Sequence, residues 1–338
     1  MESSERGANA SGVSAAERFL KDRDGLRPIE ILPWLAAIAL PIAFPDYALL
    51  GTHVLIMMLF ALSLDVIVGY AGIVTLGHAA YFGVGAYTAG LVSARLGWSE
   101  PISGLLAAGI AAGAFGLVTG SVLLRYQHLA LIMLTLVLST MVFELANAWA
   151  GLTGGWDGLM GIQLAPLLGL FEWDLRGLTS YGYALTVLMA SFWWLRFLSA
   201  SPFMQGLRGI RENRARMRAI GTPITFHLLI AFTISATLAG IAGALFAQAN
   251  AFITIEVLGF ERSAAVLTIL ILGGVGRLYG ALAGALVFIV AADWLAKTNP
   301  TYWEFGVGLL LVLVVLLYPN GLLGAIERVR AQCRRRSA

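Results

Sequence analysis

Few side chains in this sequence could do chemistry, and the densest group of them is cationic. Within residues 199–226 the run SPFMQGLRGIRENRARMRAIGTPITF carries Arg208, Arg211, Arg214, Arg216 and Arg218, five arginines in eleven residues, with Glu212 among them. One reading is an anchor held by anionic lipid on the side where basic residues collect. The other rests on an embedded pattern, E-x-x-A-x-x-x-A-x-G, formed by Glu212, Ala215, Ala219 and Gly221. A helix lying on lipid has no use for small residues at four-residue spacing, whereas a helix seated in a partner's groove does. The spacing favours docking. Residues Gly206 to Ala219 are expected to form about three helical turns, stopped by Gly221 and Pro223 as a C-terminal glycine and a following proline commonly do.

Other reactive groups are sparse. His53, His78, His128 and His227 show no HxH or HxxxH spacing for a metal, and the single Cys333 excludes an internal disulfide. A phosphate-cradling GxxxxGK[ST] loop is missing, as is any nucleophile–base–acid set, so the sequence does not read as an enzyme. Acidic residues within apolar segments are Asp65, Glu144 and Asp293. Asp65 is expected near a membrane edge, where its desolvation cost is small, and the other two near outer ends. No acidic or histidine chain crosses the membrane as a proton-driven carrier would need, and no TVGYG-like filter marks a channel. His78 opens a Gly-rich helix in TLGHAAYFGVGAY with Thr75 close by. It either lines a pathway or bonds a neighbouring helix, and the second reading is the more economical.

These residues are held by a strongly apolar frame. Of 338 residues 59% are hydrophobic and 12% charged, against roughly a quarter charged in soluble domains. Apolar segments run over about 31–50, 53–69, 77–94, 102–124, 128–149, 181–198, 227–250, 263–272, 280–296 and 302–318. Most match a hydrocarbon core about 30 Å thick, though 263–272 is too short unless flanking residues contribute or it is a half-helix packed inside protein. The expected fold is all-α and polytopic, with about ten transmembrane or half-membrane helices. A cytoplasmic tail over 1–30 precedes a transmembrane domain over 31–320, and a basic tail follows over 321–338. With both termini inside, 18 of the 22 Lys and Arg fall on the cytoplasmic side, as the positive-inside rule requires. No cleavable signal peptide is expected, because about 30 polar residues precede the first apolar run.

Glycine is abundant, 39 of 338. Small residues four apart at Gly109/Gly113, Gly116/Gly120, Ala236/Gly240 and Gly280/Gly284 are suited to close helix packing in lipid. GYAGIVTLGHAAYFGVGAYTAG and GGVGRLYGALAGALVF each join a Gly-rich break to a helix of small residues, and a true internal repeat or two independent Gly-rich pairs would both look this way. The loop 152–179, with TGGWDG and FEWDLRG, is either a docking surface for an outer partner or a solvated connection.

Together with TLVLSTMVFELANAWAGLTGGWDGLMGI, IRENRARMRAIGTPITFHLLIAFTISATLAGIAGAL and LGGVGRLYGALAGA, the first of those runs makes the chain resemble a known family. It is similar over about residues 50–324 to the permease subunits of ABC importers of branched-chain amino acids, the LivM-like branch. The resemblance implies a bacterial inner-membrane protein, working with a second related permease, two ABC ATPase subunits and a periplasmic substrate-binding protein. It implies that ATP and magnesium are bound by the ATPases and no cofactor or nucleic acid by this chain. Arg211, Glu212, Ala215, Ala219 and Gly221 then correspond to the loop that couples to the ATPase. Gly69, Gly72, Gly77, Gly83 and Gly85, with Thr75 and His78, correspond to the helix break beside the pathway. Related permeases for urea and short amides share these motifs, so the solute stays open. A stand-alone secondary carrier is the rival class.

Overall fold

The computed structural model describes residues 32–167, 169, 172–174, 177–317, 321, 322 and 324. The expected N-terminal tail and most of the basic C-terminal tail lie outside them. The chain divides after Pro45. The first unit contributes one described helix, α1 (Leu32–Ala43), which contains Pro41. Its 12 residues rise only about 18 Å. Of the two prolines expected to break the segment 31–50, Pro41 stays inside α1 and Pro45 stands at the break. Pro45 opens a tight turn, Pro45–Tyr47, and the next helix begins at Ala48.

The second unit is built from α2 (Ala48–Asp65), α3 (His78–Leu96), α4 (Pro101–Leu123), α5 (Leu129–Ala148) and the single turn α6 (Ala150–Thr153). It continues through α7 (Leu178–Ser199), α8 (Pro202–Glu212), α9 (Arg214–Ala219), α10 (Ile224–Asn250), α11 (Phe260–Gly273), α12 (Leu278–Thr298) and α13 (Trp303–Leu317). Among the described residues there is no β-strand, and Leu159 and Ile253 form an isolated antiparallel bridge. Five described helices are long and apolar enough to cross a membrane: α2 with its extension, α4, α5, α10 and α12. The pair α7 and α8, bent by 72°, makes a sixth if taken as one broken span. α3 has 19 residues but is rich in glycine and polar side chains, while α11 and α13 have 14 and 15. The chain is an all-α, multi-pass membrane protein.

α2 is the pillar. Its side chains from Leu59 to Val66 are all buried, and α7, α10, α11 and α12 all pack against it. Beyond Asp65 the helix widens into a π-turn, Val66–Ala71, that ends at Gly72 with φ of 70°. The surplus residue of a π-turn leaves carbonyls without their usual helical donors, and such turns frequently mark functional sites.

Close backbone approach explains the small residues. On α4, Gly109, Gly113, Gly116 and Gly120 face Ile241, Thr237, Ala236 and Phe232 of α10. Gly240 and Gly243 of α10 lie so near Ala112 and the Phe82 carbonyl that a side chain at either would overlap them. Gly280 and Gly284 do the same for the α11–α12 hairpin, against Gly274 and Ile269. Packing contacts of this kind hold helices together where lipid removes the hydrophobic drive.

Candidate functional site

α8 is amphipathic by sequence and by packing. Ser201 caps it by accepting the Met204 N–H at 3.4 Å, and Pro202 takes the first position, where a missing N–H costs nothing. Met204, Leu207 and Ile210 form a fully buried stripe. The single helix expected over 206–219 is instead an elbow. At Asn213 the backbone turns extended (φ −156°, ψ 97°), and the Asn213 side chain accepts the Arg216 N–H at 2.9 Å to start α9. Asparagine is a poor interior helix residue and a strong cap, so the chain breaks there. Met217 folds back against Gly209, placing its sulfur 2.7 Å from where a side chain on that glycine would begin. The turn closes at Gly221, φ 85°, with Thr222 N–H donating to the Met217 carbonyl at 3.1 Å.

This elbow presents Glu212, Ala215, Ala219 and Gly221 outward, all exposed, beside an Ile220 that is 70% exposed. Arg211 behaves differently from its neighbours. Its guanidinium donates to the carbonyl of Gly69 in the π-turn, and its Cγ lies 2.6 Å from the place a Gly72 side chain would occupy. Arg208 lies over the Tyr70 ring, 4.9 Å from its centre. The helix break and the arginine block, 142 residues apart in sequence, are thus one structure.

Asp65 belongs to it too. The small desolvation cost expected of it does not hold, for its side chain is fully buried. One carboxylate oxygen accepts the Gly276 N–H at 2.7 Å; the other has no hydrogen-bond partner. Gly69 and Gly276 pack backbone to backbone beside it, and a Cβ at Gly69 would come within 2.7 Å of the Gly276 Cα. In the sequence GGVGR figures in a possible repeat and in the family resemblance, not as a partner of Asp65. The Asp65/Gly69 spacing, one helical turn, was the signal that a carboxylate and a close backbone approach share one face.

The remaining candidates lie deeper. Thr75 accepts the Gly77 N–H at 3.2 Å, and Thr135 of α5 accepts from Leu76 at 3.3 Å. His78 is fully buried, stacked on Phe60 with ring centres 5.3 Å apart, and its Nε2 bonds Ser63 Oγ at 2.8 Å. The Nδ1 of His78 has no partner. Ser63→Ala would orphan the second ring nitrogen as well, at a cost of about 1–3 kcal/mol. The check is a lowered thermal midpoint in detergent, with Ser63→Thr falling less. Gly83 meets the side chain of Leu258 and Gly85 the backbone of Gly240.

Between the π-turn and the elbow opens a cleft of about 540 Å³. Gly72, Ile73 and Val74 line it on one side, Leu129 and Ile132 of α5 on another, and Arg211, Glu212 and Arg214 on the third. The lining is mixed, with Gln127 and His128 adding polar groups beside the apolar Ile73, Val74 and Leu131. Among the described residues no three His, Cys, Asp or Glu gather as metal ligands.

Comparison with known proteins agrees with this geometry. Residues 48–316 match the family model for the branched-chain amino acid transport system, permease component. The high-affinity branched-chain amino acid transport system permease protein LivM of Escherichia coli K12 is 30% identical over 341 aligned positions, covering 92% of this chain and 79% of LivM. LivH of the same strain, also a permease protein of the high-affinity branched-chain amino acid transport system, is 24% identical over 80% of this chain and 91% of LivH. The autoinducer 2 import system permease protein LsrC of Klebsiella pneumoniae is 29% identical over 51% of this chain and 52% of LsrC. No solved structure matches. An all-helical, multi-pass chain whose broken span and arginine elbow both fall within the matched residues belongs to the branched-chain amino acid transport permease family, and is a transport subunit rather than an enzyme.

Proposed function

We propose that this chain is the membrane-spanning permease of an ATP-driven importer, and that it carries branched-chain or related amino acids delivered by a periplasmic binding protein. The observation that carries the reading is the elbow of α8 and α9. One face is buried on the bundle through Met204, Leu207 and Ile210, and the other offers small and apolar residues, Ala215, Ala219 and Ile220, to a partner. An ATPase subunit seated there pushes α8 as it closes on ATP. Two ATPases and a second related permease complete the assembly in the bacterial inner membrane, with both termini cytoplasmic. The kinship with both LivM and LivH, two permease proteins of one transport system in the same strain, supports a paired arrangement.

The test is uptake of radiolabelled leucine into liposomes holding the chain, its paired permease and the ATPases, with binding protein outside and ATP inside. Uptake that requires ATP and all subunits is the expected result. Uptake by the purified chain alone would instead establish a stand-alone carrier. Competition by valine, isoleucine, urea and acetamide then assigns the solute, with the branched-chain amino acids expected to compete.

A further inference from the structure

We propose that Asp65 and Arg211 are a positioning pair that passes movement of α8 into the central helix α2, with the π-turn as the joint between them. The inference deepens the reading above and rests on α8 and α9 being the driven element.

Three segments distant in sequence meet at one point: the π-turn of α2, the end of α8, and the α11–α12 turn. Arg211 supplies a side-chain donor for the Gly69 carbonyl in the last turn of the π-helix, where terminal carbonyls have no partner within the helix. Asp65 supplies the acceptor for the Gly276 N–H, where Gly276 stands at φ of 81°, a conformation that suits glycine. Gly276 adjoins both side chains: a Cβ on it would lie 3.2 Å from an Arg211 nitrogen and 3.3 Å from the Gly69 oxygen. No bulk separates the Gly69 and Gly276 backbones, and the Arg211 side chain ties α8 to both, so a displacement of one is felt by the others.

Asp65 also carries the means to switch. Its second oxygen is buried without a partner, and an unsatisfied buried carboxylate oxygen is costly. When α8 moves, the guanidinium that leaves the Gly69 carbonyl has this oxygen as a new acceptor. The junction then has two arrangements with one hydrogen-bond donor shared between them, which is the form a bistable element takes. The π-turn can give up its surplus residue as the Gly69 carbonyl is released, and the shift enters a helix that its neighbours enclose.

The pair is tested first on the full chain in nanodiscs by hydrogen exchange. Arg211→Gln should speed exchange of residues 66–77 at least about tenfold, and Asp65→Asn should speed residues 273–279 by a smaller factor. Arg211→Lys, which keeps a donor, should restore most of the protection and covers the case in which Arg211→Gln does not fold. In the complete transporter, Asp65→Asn and Arg211→Gln should each cut uptake about tenfold, with Asp65→Asn, away from the docking face, leaving ATP hydrolysis within about twofold. The double variant should lose no more than the worse single one. Unchanged exchange in both segments, uptake within about twofold of wild type, or losses that multiply would each overturn the proposal. Should the wild-type complex show no ATP-dependent uptake, the importer reading falls, and exchange alone decides whether the pair holds the junction.

Discussion

Ala219→Trp should leave the protein inserted and folded yet reduce ATP-driven uptake by about thirtyfold or more. Ala219 is exposed on α9, so the larger side chain meets no atom of its own chain there and the bundle has nothing to lose. If a partner's groove receives that face, an indole in place of a methyl group forces the elbow out of it. A hot-spot loss of about 2 kcal/mol corresponds to a factor of about thirty in affinity. Ala215→Trp, one turn earlier on the same short helix, should act alike. The discriminating measurement is copurification of the ATPase alongside uptake. Loss of both with an unchanged thermal midpoint is the expected result, whereas full uptake would mean that α9 is not seated in a groove.

Gly243→Leu should have the largest effect on stability. The missing side chain of Gly243 faces the carbonyl of Phe82 and sits 2.9 Å from the Ala86 nitrogen, all backbone atoms of α3 that cannot rotate away. Overpacking a core usually costs about 1–3 kcal/mol, and a clash with backbone belongs at or beyond the top of that range. The protein should be recovered poorly, with a thermal midpoint lowered well beyond that of any surface variant. Gly182→Ala is the matched contrast. Gly182 lies within α7 with nothing near its absent side chain, so alanine there should be neutral or stabilising by up to about 1 kcal/mol through helix propensity.

The apolar runs made the helices legible, because a segment of about twenty residues without charge satisfies its own backbone in lipid only as a helix. Breaks were legible only where a local signal caused them. Gly221 and Pro223 announced the end of the elbow, while Asn213 within it went unnoticed, since an asparagine breaks a helix only if its side chain turns back to cap the next one. The role of Arg211 was hidden for a different reason. In sequence it is one of five arginines in a cationic block. What sets it apart is the Gly69 carbonyl, and no local pattern reports an acceptor 142 residues away. The burial of Asp65 was missed on the same account. Its burial depends on Gly276 arriving from the far side of the chain, so its cost could not be judged from its own helix.

The burial of α2 has a bearing on how the molecule is made. With its extension it is the most apolar of the five spanning helices, and also the most enclosed. The greasiest segment is therefore the one with least to gain from lipid in the finished protein. Its greasiness serves an earlier moment, when the nascent chain leaves the insertion machinery and each segment must partition into the bilayer on its own merits. Ser63 and Asp65 are tolerated at that stage only because the leucines and isoleucines around them outweigh their cost. α7, α10, α11 and α12 lie later in the chain, so the pillar must wait in the bilayer until they are synthesised and displace the lipid from around it.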